Sequence, residues 1–199
     1  MRKFVLTLFA CFVAHAIAPS DARAADIPQP EANWGGASDA GLWDEAARAA
    51  VRSSALLAAV PTDIVDFCPG YASLDENGRE VFWVALLSNI AARESRFDPQ
   101  RVRWRAYDGA AHRPTFRRGL FQISIESARS NAYQCTVADA DELTNPGANI
   151  ACAVNILARS VAQTHAIVGA GRYWRSLSQT SSRHRFSAVT ASSRVCLGR

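Results

Sequence analysis

The sequence lacks several features that would indicate particular classes of protein. No Cys-x-x-Cys spacing occurs, and His112, His165 and His184 do not cluster with the cysteines, so no zinc-site pattern is present. No apolar stretch after Ile17 approaches the length of a transmembrane helix. Nucleic-acid-binding motifs and internal repeats are also absent. A nucleic-acid partner and a metal site therefore have no support in the sequence.

The first 24 residues have the pattern of a secretory signal peptide. A positively charged start is followed by an apolar run from Phe4 to Ile17 and by the small-x-small sequence Ala22-Arg23-Ala24. The apolar run is too short to span a bilayer comfortably. We therefore expect cleavage after Ala24 and a periplasmic or secreted protein whose mature form has no transmembrane anchor.

Cleavage at this point would leave all the positive charge on arginine, because Lys3 is the only lysine. Removal of Arg2, Lys3, Arg23 and Asp21 lowers the net charge from +4 to about +2. The two signs are unevenly distributed, with 5 arginines and 12 acids over residues 25–100, and 14 arginines and 5 acids over residues 101–199. A basic half can attract polyanions, but a solvated basic face has the same composition.

The cysteines that remain after cleavage predict disulfides. Cys68, Cys135, Cys152 and Cys196 form an even set in an exported chain, and four cysteines allow three pairings. We favour Cys135–Cys152, which closes a short loop, and Cys68–Cys196, which joins the two ends of the domain.

Composition and periodicity predict one helical domain over residues 38–199, preceded by a flexible leader over residues 25–37. A helical pattern runs from residue 38 to Pro61, and Asn145-Pro146 has the N-cap and first-turn signals of a later helix. Alternating residues at 101–107 favour a short strand or hairpin. The expected class is all-α, with at most a small hairpin.

The segment Glu80–Pro99 is the most informative in the chain. Trp83, Leu87, Ile90 and Ala91 recur at helical spacing, and Ser73 with Glu76 forms a capping-box pattern before them. The next position on the apolar stripe is Glu94. A carboxylic acid in an apolar setting tends to stay protonated, which is the state that a general acid needs. Periodicity alone favours the plainer interpretation, in which Glu94 turns to solvent at the end of the helix or pairs with Arg93 or Arg96.

Residues 100–118 interleave arginines with aromatic residues. Such a segment suits the lining of a binding groove, and it suits a solvated surface insertion equally well. The sequence does not distinguish the two. The charged and aromatic residues concerned are Arg101, Arg103, Arg105, Arg113, Arg117, Arg118, Trp104, Tyr107 and Phe116.

Three ordered motifs resemble the soluble lytic transglycosylase family, bacterial relatives of goose-type lysozyme. They are the Glu-Ser pair in Ala92–Pro99, the sequence Gly119-Leu120-Phe121-Gln122-Ile123, and Asn145-Pro146 followed by Asn149-Ile150. The likeness covers roughly residues 68 to 177. It implies a lysozyme-like fold and cleavage of the bond between N-acetylmuramic acid and N-acetylglucosamine in peptidoglycan, without metal or organic cofactor.

The resemblance also implies roles for individual residues. Glu94 would be the single catalytic acid and base, producing 1,6-anhydro ends. Ser95, Gly119, Leu120 and Gln122 would belong to the substrate-binding site, and Asn149-Ile150 would be structural. Tyr173 is the candidate for a tyrosine that hydrogen-bonds the catalytic carboxylate, although Ala170-Gly171-Arg172-Tyr173-Trp174 departs from the usual Ala-Tyr-Asn-Ala-Gly.

Two alternatives remain open at this point. A hydrolase on the same fold would need a second carboxylate to activate water, and Asp98 and Asp108 are the candidates. A protein of a different class would keep the fold without catalysis and bind glycan strands in an envelope assembly.

Overall fold

A computed structural model of the protein describes residues 32, 34–105, 115–191 and 193–197. The predicted signal peptide lies outside these residues. The α-helices are α1 (Ala40–Arg52), α2 (Ile64–Phe67), α3 (Glu76–Glu94), α4 (Ile125–Ala128), α5 (Pro146–Thr164), α6 (Arg175–Ser178), α7 (Thr180–Ala191) and α8 (Arg194–Leu197). The strands are β1 (Val102–Arg105), β2 (Thr115–Arg118) and β3 (Ile123–Ser124). Short 3₁₀ helices span Tyr71–Ser73, Asp141–Thr144 and Ile167–Arg172.

Helix α3 lies at the centre of the fold, and helix α1 packs against both α3 and α5. Every position from Glu80 to Ala91 except two is buried, so α3 is apolar on most of its circumference. The observed cap of the helix lies two residues after the predicted one, because Asp75 accepts a hydrogen bond from the backbone N–H of Gly78. The expected capping box at Ser73 was therefore wrong, and the Ser73 hydroxyl instead donates to the carbonyl oxygen of Gly70.

The strands form one antiparallel sheet in the order β1-β2-β3. Trp104 lies opposite Phe116, and Arg103 lies opposite Arg117. The strand predicted within residues 101–107 is confirmed as β1. A mostly helical domain with one small sheet is the predicted fold class, which is confirmed.

The N-terminal part of the domain differs from the expectation in two ways. Helix α1 ends at Arg52, and turns lead from there to Pro61, so the helix is shorter than its apolar pattern predicts. Trp34 is only 2% exposed and contacts Trp43 and Phe97 edge to face. The folded part of the chain thus begins before residue 38, within the predicted leader.

The two disulfides are those that the sequence favoured. Cys68 is bonded to Cys196, and Cys135 is bonded to Cys152. The first joins the segment before α3 to the last helix of the described chain, across a sequence separation of 128 residues. In a loop-entropy model, a closure of this length stabilises the fold by about 4–5 kcal/mol. No helix of the described residues is long and apolar enough to cross a membrane.

Candidate active site

A pocket of about 240 Å³ lies between the C-terminal end of α3 and the sheet. Glu94, Arg103, Trp104, Arg117 and Gln122 line it. The sequence places these residues in three separate motifs, and the fold brings them together. The pocket is therefore the candidate site.

Helix α3 delivers Glu94 to the pocket. Trp83, Leu87 and Ile90 are fully buried on the predicted apolar stripe, which fixes the rotation of the helix. Glu94 is the last helical residue and is half-buried, so its carboxylate lies at the boundary between the core and the pocket. The hydroxyl of Ser176, in helix α6, donates a hydrogen bond to Glu94 Oε1 at 3.2 Å.

Left-handed backbone conformations occur on both sides of the pocket. Arg96 and Phe97 follow α3 with φ angles of 58° and 62°, and Gln122 has a φ of 51°. Such values are uncommon for residues other than glycine, and they persist only where the surroundings enforce them. They reverse the chain after Glu94 and turn the Gln122 side chain toward the pocket.

Buried side chains hydrogen-bond the backbone of the segment that carries Gln122. Asn149 accepts a hydrogen bond from Phe121 N–H at 2.8 Å and donates to the carbonyl oxygens of Arg118 and Leu143. The Trp174 indole N–H donates to the Phe121 carbonyl oxygen at 3.0 Å. Both supporting side chains are fully buried. Asn149 therefore has a structural role, as predicted, because its side chain hydrogen-bonds three backbone groups.

Gly119 is required by this arrangement. Its φ is +77°, and a Cβ atom there would lie 2.2 Å from the Leu143 carbonyl oxygen and 2.5 Å from Asn149 Nδ2. The resemblance assigned Gly119 to the substrate-binding site. The groups that lie close to Gly119 are Leu143 and Asn149, and Gly119 does not line the pocket.

The two polar atoms of the Gln122 side-chain amide differ in their hydrogen bonding. Its side-chain Nε2 donates to the carbonyl oxygens of Arg101 and Gly119, at 3.0 and 2.9 Å. Its Oε1 atom is buried without a hydrogen-bond partner among the described residues. A buried carbonyl oxygen of this kind is costly unless something donates to it, so it is suited to accept from a ligand hydroxyl or amide.

Tyr173 contacts Arg117, which lines the pocket, and its hydroxyl does not hydrogen-bond Glu94. The Arg117 guanidinium lies over its ring, 5.3 Å from the centroid. Burial raises the pKa of Tyr173, and the nearby Ser127 hydroxyl and Arg117 charge partly oppose that rise. No well-formed hydrogen bond reaches its hydroxyl within the described part of the chain. The hydroxyl that does reach Glu94 belongs to Ser176, for which the sequence carries no local signal.

Two other predicted substrate-binding residues are placed differently from the expectation. Ser95 is fully buried, and its hydroxyl donates to the Ala91 carbonyl oxygen at the end of α3. Leu120 is also fully buried and packs in the core. Neither side chain lines the pocket, because the turn after α3 and the contacts of Asn149 direct them inward.

The arginine and aromatic segment does line a groove, which decides the question that its composition left open. Arg103, Trp104 and Arg117 reach the pocket from the β1–β2 pair. Residues 106–114, which include Tyr107 and Arg113, lie outside the described residues.

Glu94 is the one carboxylate that lines the pocket within the described residues. Asp98 is exposed, and its Oδ1 accepts from the backbone N–H of Gln100 in a turn. The other candidate for activating water, Asp108, lies outside the described residues. A larger groove of about 370 Å³ beside Tyr133 and Arg159 has no acidic residue or histidine in its lining, so we assign the chemistry to the smaller pocket.

This fold, with a glutamate at the end of a central helix facing a pocket beside a small sheet, defines a lysozyme-like protein. The chain belongs to the transglycosylase SLT domain family, whose model matches residues 74–188. Membership supports a lytic transglycosylase-type activity on peptidoglycan.

Solved structures of a protein named Bd0314 DslA are similar to this chain. Its wild-type form has 29% sequence identity and a TM-score of 0.73, over 81% of this chain and 94% of that one. Two glutamate-to-glutamine mutants of the same protein match with 29% and 28% identity and TM-scores of 0.73 and 0.70, over the same shares of both chains. A comparison with curated proteins gave no significant match.

Proposed function

We propose that this protein is an exported lytic transglycosylase that uses Glu94 as its single acid and base. Its substrate would be the β-1,4 bond between N-acetylmuramic acid and N-acetylglucosamine. The observation that carries this proposal is the pocket itself, whose described lining contains one carboxylate, at the end of a buried helix. The family match supports the same substrate class.

In the first step, protonated Glu94 donates its proton to the glycosidic oxygen. The bond between that oxygen and C1 of the muramyl residue breaks, and the N-acetylglucosamine side leaves as an alcohol. The substrate's own N-acetyl oxygen then stabilises the positive charge at C1, in place of a second carboxylate. Gln122 Oε1 is placed to accept a hydrogen bond from the bound sugar.

In the second step, the Glu94 carboxylate removes the proton from the muramyl C6 hydroxyl. The C6 oxygen bonds to C1 and closes a 1,6-anhydro ring. Glu94 is thereby protonated again, and no water is consumed. The Ser176 hydroxyl, which donates to Oε1, helps to hold the carboxylate in one orientation through both steps.

A hydrolase on the same fold is the second candidate. One observation favours the hydrolase: two different glutamates have been replaced by glutamine in the structures of Bd0314 DslA. A hydrolase of the usual type pairs its acid with a second carboxylate. The described lining of the present pocket contains two arginines and no carboxylate besides Glu94, which favours the transglycosylase.

Export is part of the proposal. The two disulfides support it, because disulfides form and persist in oxidising compartments such as the bacterial periplasm. N-terminal sequencing of the protein from the cell envelope should find Ala25 as the first residue. A full-length N-terminus in the cytoplasm would contradict the assignment. An association with an envelope assembly stays a prediction.

Product analysis tests the reaction type. The purified mature protein is incubated with peptidoglycan sacculi, and the soluble products are analysed by mass spectrometry. We expect muramyl ends in the 1,6-anhydro form, which have one water less than hydrolytic products. Reducing ends alone would establish the hydrolase. Binding of sacculi without any cleavage would establish the non-catalytic glycan-binding protein.

A further inference from the structure

Two arginines face each other across the strands beside Glu94. Arg103 in β1 is the register partner of Arg117 in β2, and both line the pocket. Side chains directly opposite in an antiparallel pair extend from the same face, and like charges at such positions are destabilising. We refer to these two residues as the arginine pair. An anion bound between the two guanidinium groups would relieve this repulsion.

Among the described residues, ionised Glu94 is the one negative charge that lines the pocket with the arginine pair. The ion pairs found among these residues join Arg48, Arg52 and Arg118 to carboxylates, and neither member of the arginine pair takes part in one. When Glu94 is protonated, as donation to the glycosidic oxygen requires, the described pocket lining carries two positive charges and no negative charge.

An aromatic ring contacts the Arg117 side chain, and no ion pair among the described residues includes it. Its guanidinium lies over the Tyr173 ring at 5.3 Å from the centroid, and its Nε atom is buried without a hydrogen bond. A guanidinium group that contacts an aromatic face keeps N–H groups available for another partner. The edge of a guanidinium is the part that binds a carboxylate through two parallel hydrogen bonds.

The proposed substrate has one group that can become a carboxylate close to the scissile bond. N-acetylmuramic acid carries a lactyl group on C3, whose carboxyl is joined by an amide bond to the stem peptide. The amide is neutral, whereas a lactyl group without its peptide is an anion at neutral pH. We infer that the arginine pair binds the free lactyl carboxylate and thereby selects peptide-free glycan strands. This inference rests on the proposed function.

The selection places the protein in a reaction sequence. The preceding reaction must hydrolyse the amide bond between the lactyl carbonyl and the first amino acid of the stem. Water adds to the carbonyl, the C–N bond breaks, and the products are a lactyl carboxylate and a peptide with a free amino terminus. An amidase of this class supplies the strands that the pocket prefers.

A binding experiment tests the inference independently of cleavage. The probes are a muramic-acid-containing disaccharide with a free lactyl carboxylate, its lactyl methylamide, and the same disaccharide carrying a stem peptide. Affinities are measured by calorimetry with the Glu94→Gln variant, so that no probe is consumed. We expect the free acid to bind about tenfold or more tightly than the methylamide, as for hydrogen bonds between charged groups.

Variants of the arginine pair sharpen the binding test. Arg103→Gln and Arg117→Gln, each in the Glu94→Gln background, should remove most of the difference between free acid and methylamide. Arg117→Lys keeps the charge without the planar fork and should restore only part of it. Arg159→Gln is the matched control, because it removes one exposed guanidinium from α5, outside this pocket. It should leave the difference unchanged.

Cleavage assays then separate this inference from the proposed function. Intact sacculi and amidase-treated sacculi are digested by the protein with native Glu94. A preference of about tenfold or more in kcat/KM for the treated material, lost in Arg103→Gln, supports the inference. Equal rates on both materials would overturn it while leaving the transglycosylase assignment intact.

The remaining outcomes are also decisive. Equal affinity for free acid and methylamide would overturn the inference even if no sacculi are cleaved. Tightest binding of the peptide-bearing probe would show that the arginine pair recognises a stem-peptide carboxylate, which also contradicts it. Circular dichroism of each variant shows whether the fold is retained. Because Arg103 is exposed, Arg103→Gln should fold normally, and it can be used for the test if Arg117→Gln fails to fold.

Discussion

Helix α3 carries a glutamate near each end, and the fold places the two in very different surroundings. Glu80 is 6% exposed and accepts hydrogen bonds from Arg48 and Arg52, at 3.0 Å each. Glu94, about 21 Å along the helix axis, is half-buried, lines the pocket and accepts a hydrogen bond from Ser176. The first glutamate joins two helices, and the second faces the space where a substrate would bind.

The surroundings of the two glutamates differ in the same way. Near Glu80, the Tyr71 hydroxyl accepts from the Trp83 indole N–H and donates to the Ala59 carbonyl oxygen. Near Glu94, the Gln122 Oε1 and Tyr173 hydroxyl oxygen atoms are buried without partners in the described structure. Helix α3 itself also carries two such atoms, Arg79 Nε and Ser88 Oγ. Unsatisfied polar groups are costly, and Gln122 Oε1 and Arg117 Nε belong to residues that line the pocket with Glu94, which supports a binding site there.

Replacement of Glu94 gives the largest expected effect. Glu94→Gln removes the acid and base and should lower kcat on sacculi about 10³-fold, within the range known for general acid–base groups. The free energy of unfolding should change by less than about 0.5 kcal/mol, as for other positions outside the core. Release of soluble fragments and urea denaturation measure the two quantities. The control is Glu45→Gln, the same change at an exposed position of α1, and cleavage by Glu94→Gln at the wild-type rate would refute the assignment.

Replacement of Glu80 should have the opposite profile. Glu80→Gln leaves Arg48 partly buried without one of its two carboxylates and should lower the free energy of unfolding by about 3 kcal/mol. This is the low end of the range for broken buried pairs, because the Arg52 side chain is 53% exposed and can turn to water. Activity per folded molecule should be unchanged. A loss of kcat without a loss of stability would contradict the division of roles between the two glutamates.

The hydrogen bond from Ser176 separates positioning from chemistry. Ser176→Ala should reduce kcat about tenfold, the effect of one hydrogen bond to a charged group, and leave KM nearly unchanged. Ser176→Thr retains the hydroxyl and should recover most of the activity. If alanine and threonine reduce kcat equally, the hydroxyl has no role in positioning Glu94.

The two buried tyrosines give the smallest effect, which appears only at high pH. Burial raises the pKa of both Tyr71 and Tyr173 above the ordinary value of 10.0. The folded state therefore keeps protons that the unfolded state loses, so stability is fully present below pH 10 and declines as the pH rises above it. One pH unit above 10, the loss is at most about 1.4 kcal/mol per tyrosine. Midpoints of urea denaturation at pH 9, 10 and 11 should show this loss of stability. Tyr173→Phe should make the decline of the midpoint with pH less steep, and an unchanged decline would refute the contribution of Tyr173.

Much of the helix that carries Glu94 could be predicted from the sequence. The stripe of Trp83, Leu87 and Ile90 reports which side of the helix is buried, because periodicity depends only on local geometry. The same holds for Asn145-Pro146, which starts α5 where expected, with Asn145 accepting from Ala148 N–H. The capping residue of α3 was missed because Ser73 and Asp75 offer competing signals two residues apart.

Other parts of the site depend on contacts between distant segments. Ser176 is 82 residues from Glu94 in the chain, and a serine in a short helix carries no mark of such a contact. The placement of Ser95 and Leu120 in the core, and not in the pocket, follows from the turn after α3 and the contacts of Asn149. These features are properties of the packing and have no local pattern.

The sequence by itself determined the fold class and the helix on which Glu94 lies, because these follow from hydrophobic periodicity, and it favoured the observed disulfide pairs among three possible pairings. Only the tertiary structure decided which arginines face Glu94. The register of β1 on β2 sets Arg103 opposite Arg117, and a shift of β1 by one residue would turn Arg103 to the other face. The charge of the pocket, and with it the substrate that we infer, is therefore a consequence of strand pairing.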